Sequence, residues 1–303
     1  TYGAEIKVGG FSGYLSEILT LYYGSFYETL TAASTWRRKE VIDIKRYYEG
    51  TEDEARKIFQ DNLIVIDPVD RGRNIASAVR ETKLNEFIAA ARGFLESPDL
   101  KFFYPDDLES LSIKEFPKAI SQRGSTLVFL RFGTGKCVPD ILWGQLYKSL
   151  KALRNLIERN DFAVIRDAVW SDEEADHVFL FDLGSRFLPP VKRHLGPPLE
   201  KKDDCEKFLG KHLKAKDRIA GPYVEGDRWI VETRRAYIDV ISLLKDRLAD
   251  RGGKLGIASL VSEALTLHFE VFVNEEIAGF YESNCEFARF LTDYLDGRPR
   301  WLH

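Results

Sequence analysis

Transfer of a phosphoryl or nucleotidyl group usually needs a divalent cation held by carboxylates, typically two close together on one strand. Glu174 and Asp176 have that spacing, but they lie in "SDEEADH" between two β-patterned runs, where a solvated turn is the better reading. Gly24-Ser25 leads into no suitable carboxylate pair and reads as the end of a helix. No phosphate-binding GxxxxGK[ST] loop, HExxH or GxSxG motif occurs. The five histidines, at 177, 194, 212, 268 and 303, have no ligand spacing. The sequence therefore predicts no catalytic residue and no metal ligand.

What remains is suited to binding. Arg73 and Asn74 follow "IDPVD" at a strand-to-helix turn, which presents a forked cation and an amide to a base edge or a phosphate. The local alternative is a capped turn with an Asp70–Arg73 ion pair. Tyr2 offers a ring on which a base stacks, against an ordinary exposed terminal tyrosine. "GGFSG", residues 9–13, offers backbone N–H groups and the Ser12 hydroxyl to phosphate, or simply starts a helix.

Periodicity supplies the elements that must position these residues. Leu15, Ile18, Leu19 and Tyr22 make one apolar stripe, predicting a helix over 13–23 with Ser12 as N-cap and Gly24 as stop. A short helix is predicted over 26–36, strands over 41–44 and 62–70, a helix opening at "RNIASAV", and an amphipathic helix over 83–95. "SPDLKFFYPDDL" is a break, with a domain boundary near Pro105. Beyond it, 125–132 reads as an alternating strand and 141–159 as a helix. The runs 162–170, 177–183 and 186–195 read as consecutive strands of a small antiparallel sheet closed by a helix over 203–212. A strand over 226–236, helices over 239–249, 258–266 and 284–295, and a strand over 269–273 complete the chain. The fold class is α+β and multidomain, with a helix-rich first third.

The length of 303 residues implies two or three domains. No apolar run is long enough to span a membrane and no secretory leader is read. The three cysteines, Cys137, Cys205 and Cys285, are odd in number and far apart, which points to a reducing cytoplasm. The net charge of -4 does not advertise nucleic-acid binding, but its distribution is uneven. Residues 117–160 carry eight basic and two acidic side chains, and residues 192–218 nine and five. Such local surface binds phosphate even on an acidic chain, although solvated helix faces give the same counts.

"YGAEIKVGGFSGYLSEILTLYYGSF", "IDPVDRGRN", "GPYVEGDRWIVETRR" and "RPRWL", in this order over almost the whole chain, resemble the archaeal (class I) CCA-adding enzymes. Those tRNA nucleotidyltransferases add or repair the 3′-terminal CCA of tRNA from CTP and ATP. The resemblance implies a helical neck over 1–105, an α+β body over 106–140 and 221–303, and an inserted α/β tail over 141–220. It also implies that the head, with its Gly-Ser motif and the carboxylates holding Mg2+, has no counterpart here, so that this chain alone is inactive. It places Tyr2 against the incoming nucleotide, Ser12 beside it, Arg73 on the base, and Asn74 as partner or co-reader of Arg73. It assigns the acceptor stem and TΨC region of tRNA to body and tail. Charge alone then nominates Lys148, Lys151, Arg154, Lys192 and Arg193 as tRNA contacts. The competing expectations are a stand-alone, non-catalytic RNA-binding protein built from the same domains, and an unrelated small-molecule enzyme. Sequence leaves open whether the protein is a homodimer.

Overall fold

The computed structural model describes residues 2–106, 108–249 and 255–302. They divide into two compact units. One comprises Thr1–Glu109, Val138–Gly144 and Thr292–His303, the other Ser110–Cys137 and Gln145–Leu291.

The first unit starts with helices α1 (Gly13–Tyr23) and α2 (Phe26–Ala33). Both are delimited by their own sequence. The Ser12 Oγ accepts from Leu15 N at 3.1 Å and the Ser25 Oγ from Glu28 N at 3.1 Å, satisfying helix-start donors. Gly24 stops α1 in the left-handed region, at φ 95°. Leu15, Ile18 and Leu19 are buried, whereas Tyr22, expected on the same stripe, is exposed. Strand β1 (Glu40–Ile42), helix α3 (Glu52–Ile58) and strand β2 (Leu63–Val65) make a small crossover whose strands pair in parallel. Side chains of β2 and the residue after it alternate between two cores. Leu63 and Val65 join Leu15, Leu30, Trp36 and Leu84, while Ile64 and Ile66 join Ala55 and Phe59. Helix α4 (Glu81–Glu96) covers the larger core with Leu84, Ile88 and Ala91. Each buried Leu or Ile contributes roughly 1.5–3 kcal/mol. The expected helix at "RNIASAV" is a series of turns. The Asn74 Oδ1 takes the Ala76 N–H at 3.0 Å, a local bond that competes with helix formation. The "RPRWL" segment, expected in the body, belongs to this unit, with Trp301 6.1 Å from Phe102 between ring centroids.

The second unit contains helix α5 (Glu115–Arg123), strand β3 (Thr126–Gly133), helix α6 (Pro139–Arg159, from Gln145), and strands β4 (Val164–Ser171) and β5 (Asp176–Leu183). Then come strand β6 (Val191–Pro198), helix α7 (Lys202–His212), and strands β7 (Arg218–Glu225) and β8 (Arg228–Arg234). Helices α8 (Val240–Ala249) and α9 (Ser259–Leu267), strand β9 (Phe269–Val273), and helices α10 (Ala278–Ser283) and α11 (Cys285–Asp296, to Leu291) complete it. Two sheets result, ordered β4-β5-β3-β9 and β6-β8-β7. The first has the order of a βαββαβ layer, with α6 connecting β3 to β4 and α8–α9 preceding β9. Strand β3 is buried on both faces, from Leu127 to Leu130 and at Phe132.

This pairing cuts across the expected insertion at 141–220. Strands β4 and β5 belong with β3, and the run at 186–195 joins a separate sheet. The separate unit is closed at its base. Leu188 N donates to Ile238 O at 2.9 Å, Val240 N to Arg186 O at 3.2 Å, and Arg186 Nε to Asp239 Oδ1 at 2.9 Å. Among the described residues, no helix is long and apolar enough to cross a membrane.

His177 is fully buried on β5, its ring nitrogens 2.7 Å from Thr134 Oγ1 and 2.8 Å from Ser171 Oγ. Burial lowers its pKa below the ordinary 6.5, against the opposing pull of Asp172 and Asp176. Burial also lowers that of His212. In each case the unfolded chain takes up the proton first. Stability is therefore full above about pH 6.5 and falls as the pH drops from there toward the lowered folded values. The thermal midpoint should decline as the pH falls below about 6.5, and His177→Gln should flatten that decline. An unchanged pH profile in the variant would remove His177 as its source.

Candidate functional site

Of the sequence-predicted residues, Tyr2, Ser12, Arg73 and Asn74 all lie in the first unit. Three of them converge on the first turn of α1. The Tyr2 hydroxyl lies 3.0 Å from where a Cβ on Gly13 would stand, so glycine is what lets the tyrosine approach. Ser12 caps the helix. The Tyr14 phenol donates to Asp67 Oδ1 at 3.2 Å, and Asp67 Oδ2 faces Arg73 Nη1 at 3.5 Å. Desolvation and the bond to Asp67 push the Tyr14 phenol above its ordinary pKa, which keeps it a donor at neutral pH.

The glycines of "GGFSG" serve the loop more than an anion. Gly9 N donates to Glu5 O at 2.8 Å and Gly10 N to Gly3 O at 2.7 Å, so both N–H groups are spent. Gly9 sits at φ +60°, and a Cβ there would lie 2.6 Å from Arg80 Nε. The N–H groups of Gly13 and Tyr14 have no partner among the described residues, and they stand at the positive end of α1. Tyr2 is 74% exposed and also lines a cavity of about 580 Å³ with Phe11, Phe26, Phe94 and Phe103.

Asn74 is a different kind of residue. Its Oδ1 accepts from Val65 N at 2.8 Å and from Ala76 N at 3.0 Å, and its Nδ2 donates to Asp61 Oδ2 at 2.8 Å and Leu63 O at 2.9 Å. A primary amide has two donors and two acceptor positions, so no capacity is left for a base. The reading of Asn74 as a co-reader gives way to a clamp that holds the Arg73 loop against β2. The alternative Asp70–Arg73 ion pair is also absent. The Asp70 carboxylate is taken by Gly72 N at 2.8 Å, and Arg73 pairs with Asp67. Asp67 and Tyr14 escaped the sequence reading, since no local spacing connects α1 to the loop after β2.

The five basic nominees lie in the second unit and differ sharply in their surroundings. Arg154 bonds Glu158 at 2.9 Å and Asp167 at 2.6 Å, Lys192 bonds Asp161 at 3.2 Å, and Arg193 pairs with Glu225. Their charge is largely answered within the protein. Lys148 and Lys151 have no ion pair or hydrogen bond among the described residues and stand exposed on α6. Asn155 and Arg159 continue the same exposed face, a run of about 16 Å at helical rise. Arg159 is a member that charge counting did not single out.

"SDEEADH" is an ordered turn in which Asp172 Oδ1 accepts from Glu174, Ala175 and Asp176 N. Asp176 is paired with Arg131 at 2.8 Å. Among the described residues no three His, Cys, Asp or Glu side chains converge as a metal site. The resemblance places Mg2+ on the head, and the Asp172 and Asp176 carboxylates here are taken up by the turn and by Arg131.

A family model described as tRNA nucleotidyltransferase, second domain, matches residues 1–104, and one described as CCA-adding enzyme, C-terminal domain, matches residues 123–274. The chain belongs to the CCA-adding enzyme family. It is 36% identical over 294 residues to the CCA-adding enzyme of Methanosarcina mazei, covering 97% of this chain and 62% of the relative. With that of Methanosarcina barkeri it shares 38% over 281 residues, 93% of this chain and 59% of the relative. With that of Haloarcula marismortui it shares 32% over 311 residues, 98% of this chain and 64% of the relative. The chain thus spans between 59% and 64% of the length of these curated relatives. The C-terminal-domain match runs from before β3 to the end of β9, so it takes in both sheets of the second unit.

Asn74→Ala strands the buried Val65 and Ala76 N–H groups and should lower stability by about 2–4 kcal/mol. Urea unfolding would measure it, and a loss below about 0.5 kcal/mol would show that the amide is not a clamp.

Proposed function

We propose that this chain is the nucleotide-selecting and tRNA-binding portion of a CCA-adding tRNA nucleotidyltransferase that uses CTP and ATP. The observation that carries the reading is the state of Arg73. Its side chain is 66% exposed, and among the described residues its guanidinium makes no hydrogen bond, only the 3.5 Å ion pair with Asp67. It is attached through Asp67 and Tyr14 to the first turn of α1, where Tyr2 and two unpartnered N–H groups also lie. A guanidinium fork suits bases whose Watson–Crick ring nitrogen accepts, as in cytosine and adenine. It disfavours uracil and guanine, whose corresponding nitrogen carries a hydrogen. Tyr2 supplies a stacking ring, and the α1 N-terminus favours phosphate. We assign the Mg2+-dependent chemistry to a separate nucleotidyltransferase head and place the enzyme in the cytoplasm.

The tRNA surface we propose is the α6 face, with Lys148 and Lys151 at its centre. Helical RNA is held chiefly through phosphates and 2′-hydroxyls, for which unpaired lysines on one straight face are apt. Arg154, Lys192 and Arg193 contribute less, because each must first give up a carboxylate. The inserted tail is the three-stranded unit between Phe187 and Asp239.

Two measurements test this. With the head present, Arg73→Ala should impair CTP and ATP incorporation while tRNA affinity stays within about twofold. Loss of tRNA binding with unchanged nucleotide KM would contradict the assignment. Reversing Lys148 and Lys151 to Glu should weaken binding of tRNA lacking CCA by at least about tenfold and make its salt dependence shallower by about two. An unchanged salt slope would take α6 out of the interface.

A further inference from the structure

We infer that Asp67, anchored by Tyr14, is the residue that positions Arg73 and thereby helps to set base selection. The inference rests on the assignment of Arg73 to nucleotide selection. Asp67 is 5% exposed, and a buried carboxylate must be compensated. Its two oxygens are compensated differently. Oδ1 accepts from Val69 N at 2.9 Å and from the Tyr14 phenol at 3.2 Å. Oδ2 is left toward Arg73 Nη1, at 3.5 Å.

That distance is informative. It is long for a hydrogen bond and short enough for attraction between full charges. A bidentate pair would spend two of the five guanidinium donors. Here charge holds the side chain while every donor stays available. An arginine exposed to this extent would otherwise sample many rotamers, and ordering it on binding costs free energy. Asp67 removes part of that cost in advance.

The carboxylate is itself fixed from two elements, α1 through Tyr14 and its own loop through Val69. The loop is pinned further by Tyr47 to Pro68 O at 2.9 Å and Tyr48 to Arg71 O at 3.0 Å. Asp70, three residues further along the loop, accepts from Gly72 N through Oδ1 at 2.8 Å and makes no ion pair with Arg73, which pairs with Asp67.

Asp67→Asn keeps an acceptor oxygen for Tyr14 and Val69 and replaces the anionic oxygen facing Arg73 with an uncharged NH2 group. In the full-length enzyme, head included, it should raise KM for both CTP and ATP about tenfold and leave kcat within about twofold. It should also admit more UTP and GTP. In an Arg73→Ala background it should add nothing, because the group it positions is gone. Tyr14→Phe, which keeps the charge, should act in the same direction by about threefold. It also serves as the second variant if Asp67→Asn fails to fold. A KM unchanged by Asp67→Asn, or an effect that persists undiminished in the Arg73→Ala background, would overturn the positioning role and leave the nucleotide reading standing. Arg73→Ala with unchanged KM and base preference would overturn the nucleotide reading, and this inference with it.

Discussion

The side-chain amide of Asn74 ties the loop after β2 to the free edge of that strand. Strand β2 is three residues long and pairs with only one neighbour, β1. Its other edge presents polar groups in a region where Ile64, Val65 and Ile66 are fully buried. Unpaired, those groups would cost more than so short a strand could recover. Asn74 satisfies Val65 N and Leu63 O, and the backbone following it bonds Val65 O through Ile75 N. The chain is thereby folded back beside β2, and Arg73 is delivered to a defined place one residue before the clamp. The position of Arg73 follows from the hydrogen-bonding needs of the core.

This coupling explains which parts of the architecture could be read in one dimension. Helix α1 begins after Ser12 and ends at Gly24 because caps are local chemistry, and β9 coincides with "FEVFV" because a short apolar run between breaks leaves little choice. What could not be read depends on partners remote in sequence. Asp70 and Asp67 each accept from the N–H two residues on, so whether Arg73 pairs with one or the other is decided by how the loop folds back beside β2 and not by local spacing. Whether Asn74 reads a ligand or holds a strand depends on Asp61, Leu63 and Val65. The runs at 162–170 and 177–183 are strands as expected, but their sheet is decided by β3, more than thirty residues before the first of them. The three-stranded sheet that lies between β5 and α8 hides the βαββαβ order from a reader moving along the chain.

Charge illustrates the same difference between counting and placing. The excess of basic residues over 117–160 is real, yet its members are not equivalent. Arg154 is committed to Glu158 and to Asp167 on the neighbouring strand, and Arg131 to Asp176 and Glu270. Lys148, Lys151 and Arg159 are exposed and have no ion pair among the described residues. Across 192–218 the pattern repeats, with Lys192 bound to Asp161 and Arg193 to Glu225. Available charge is a property of the folded surface, and it is smaller and more sharply localised than the sequence sum.

The clasp formed by Arg186, Leu188, Ile238 and Asp239 has a consequence for how such a chain can change over generations. The three-stranded unit leaves the four-stranded sheet and returns to it at adjacent points, joined by backbone bonds and an ion pair. Bridging that gap needs little chain, and the closure entropy of whatever lies between grows only slowly with its length. A change of length in the three-stranded unit therefore need not disturb the β3–β5 register. Divergence should gather beyond the clasp, and Arg186 and Asp239 should vary together.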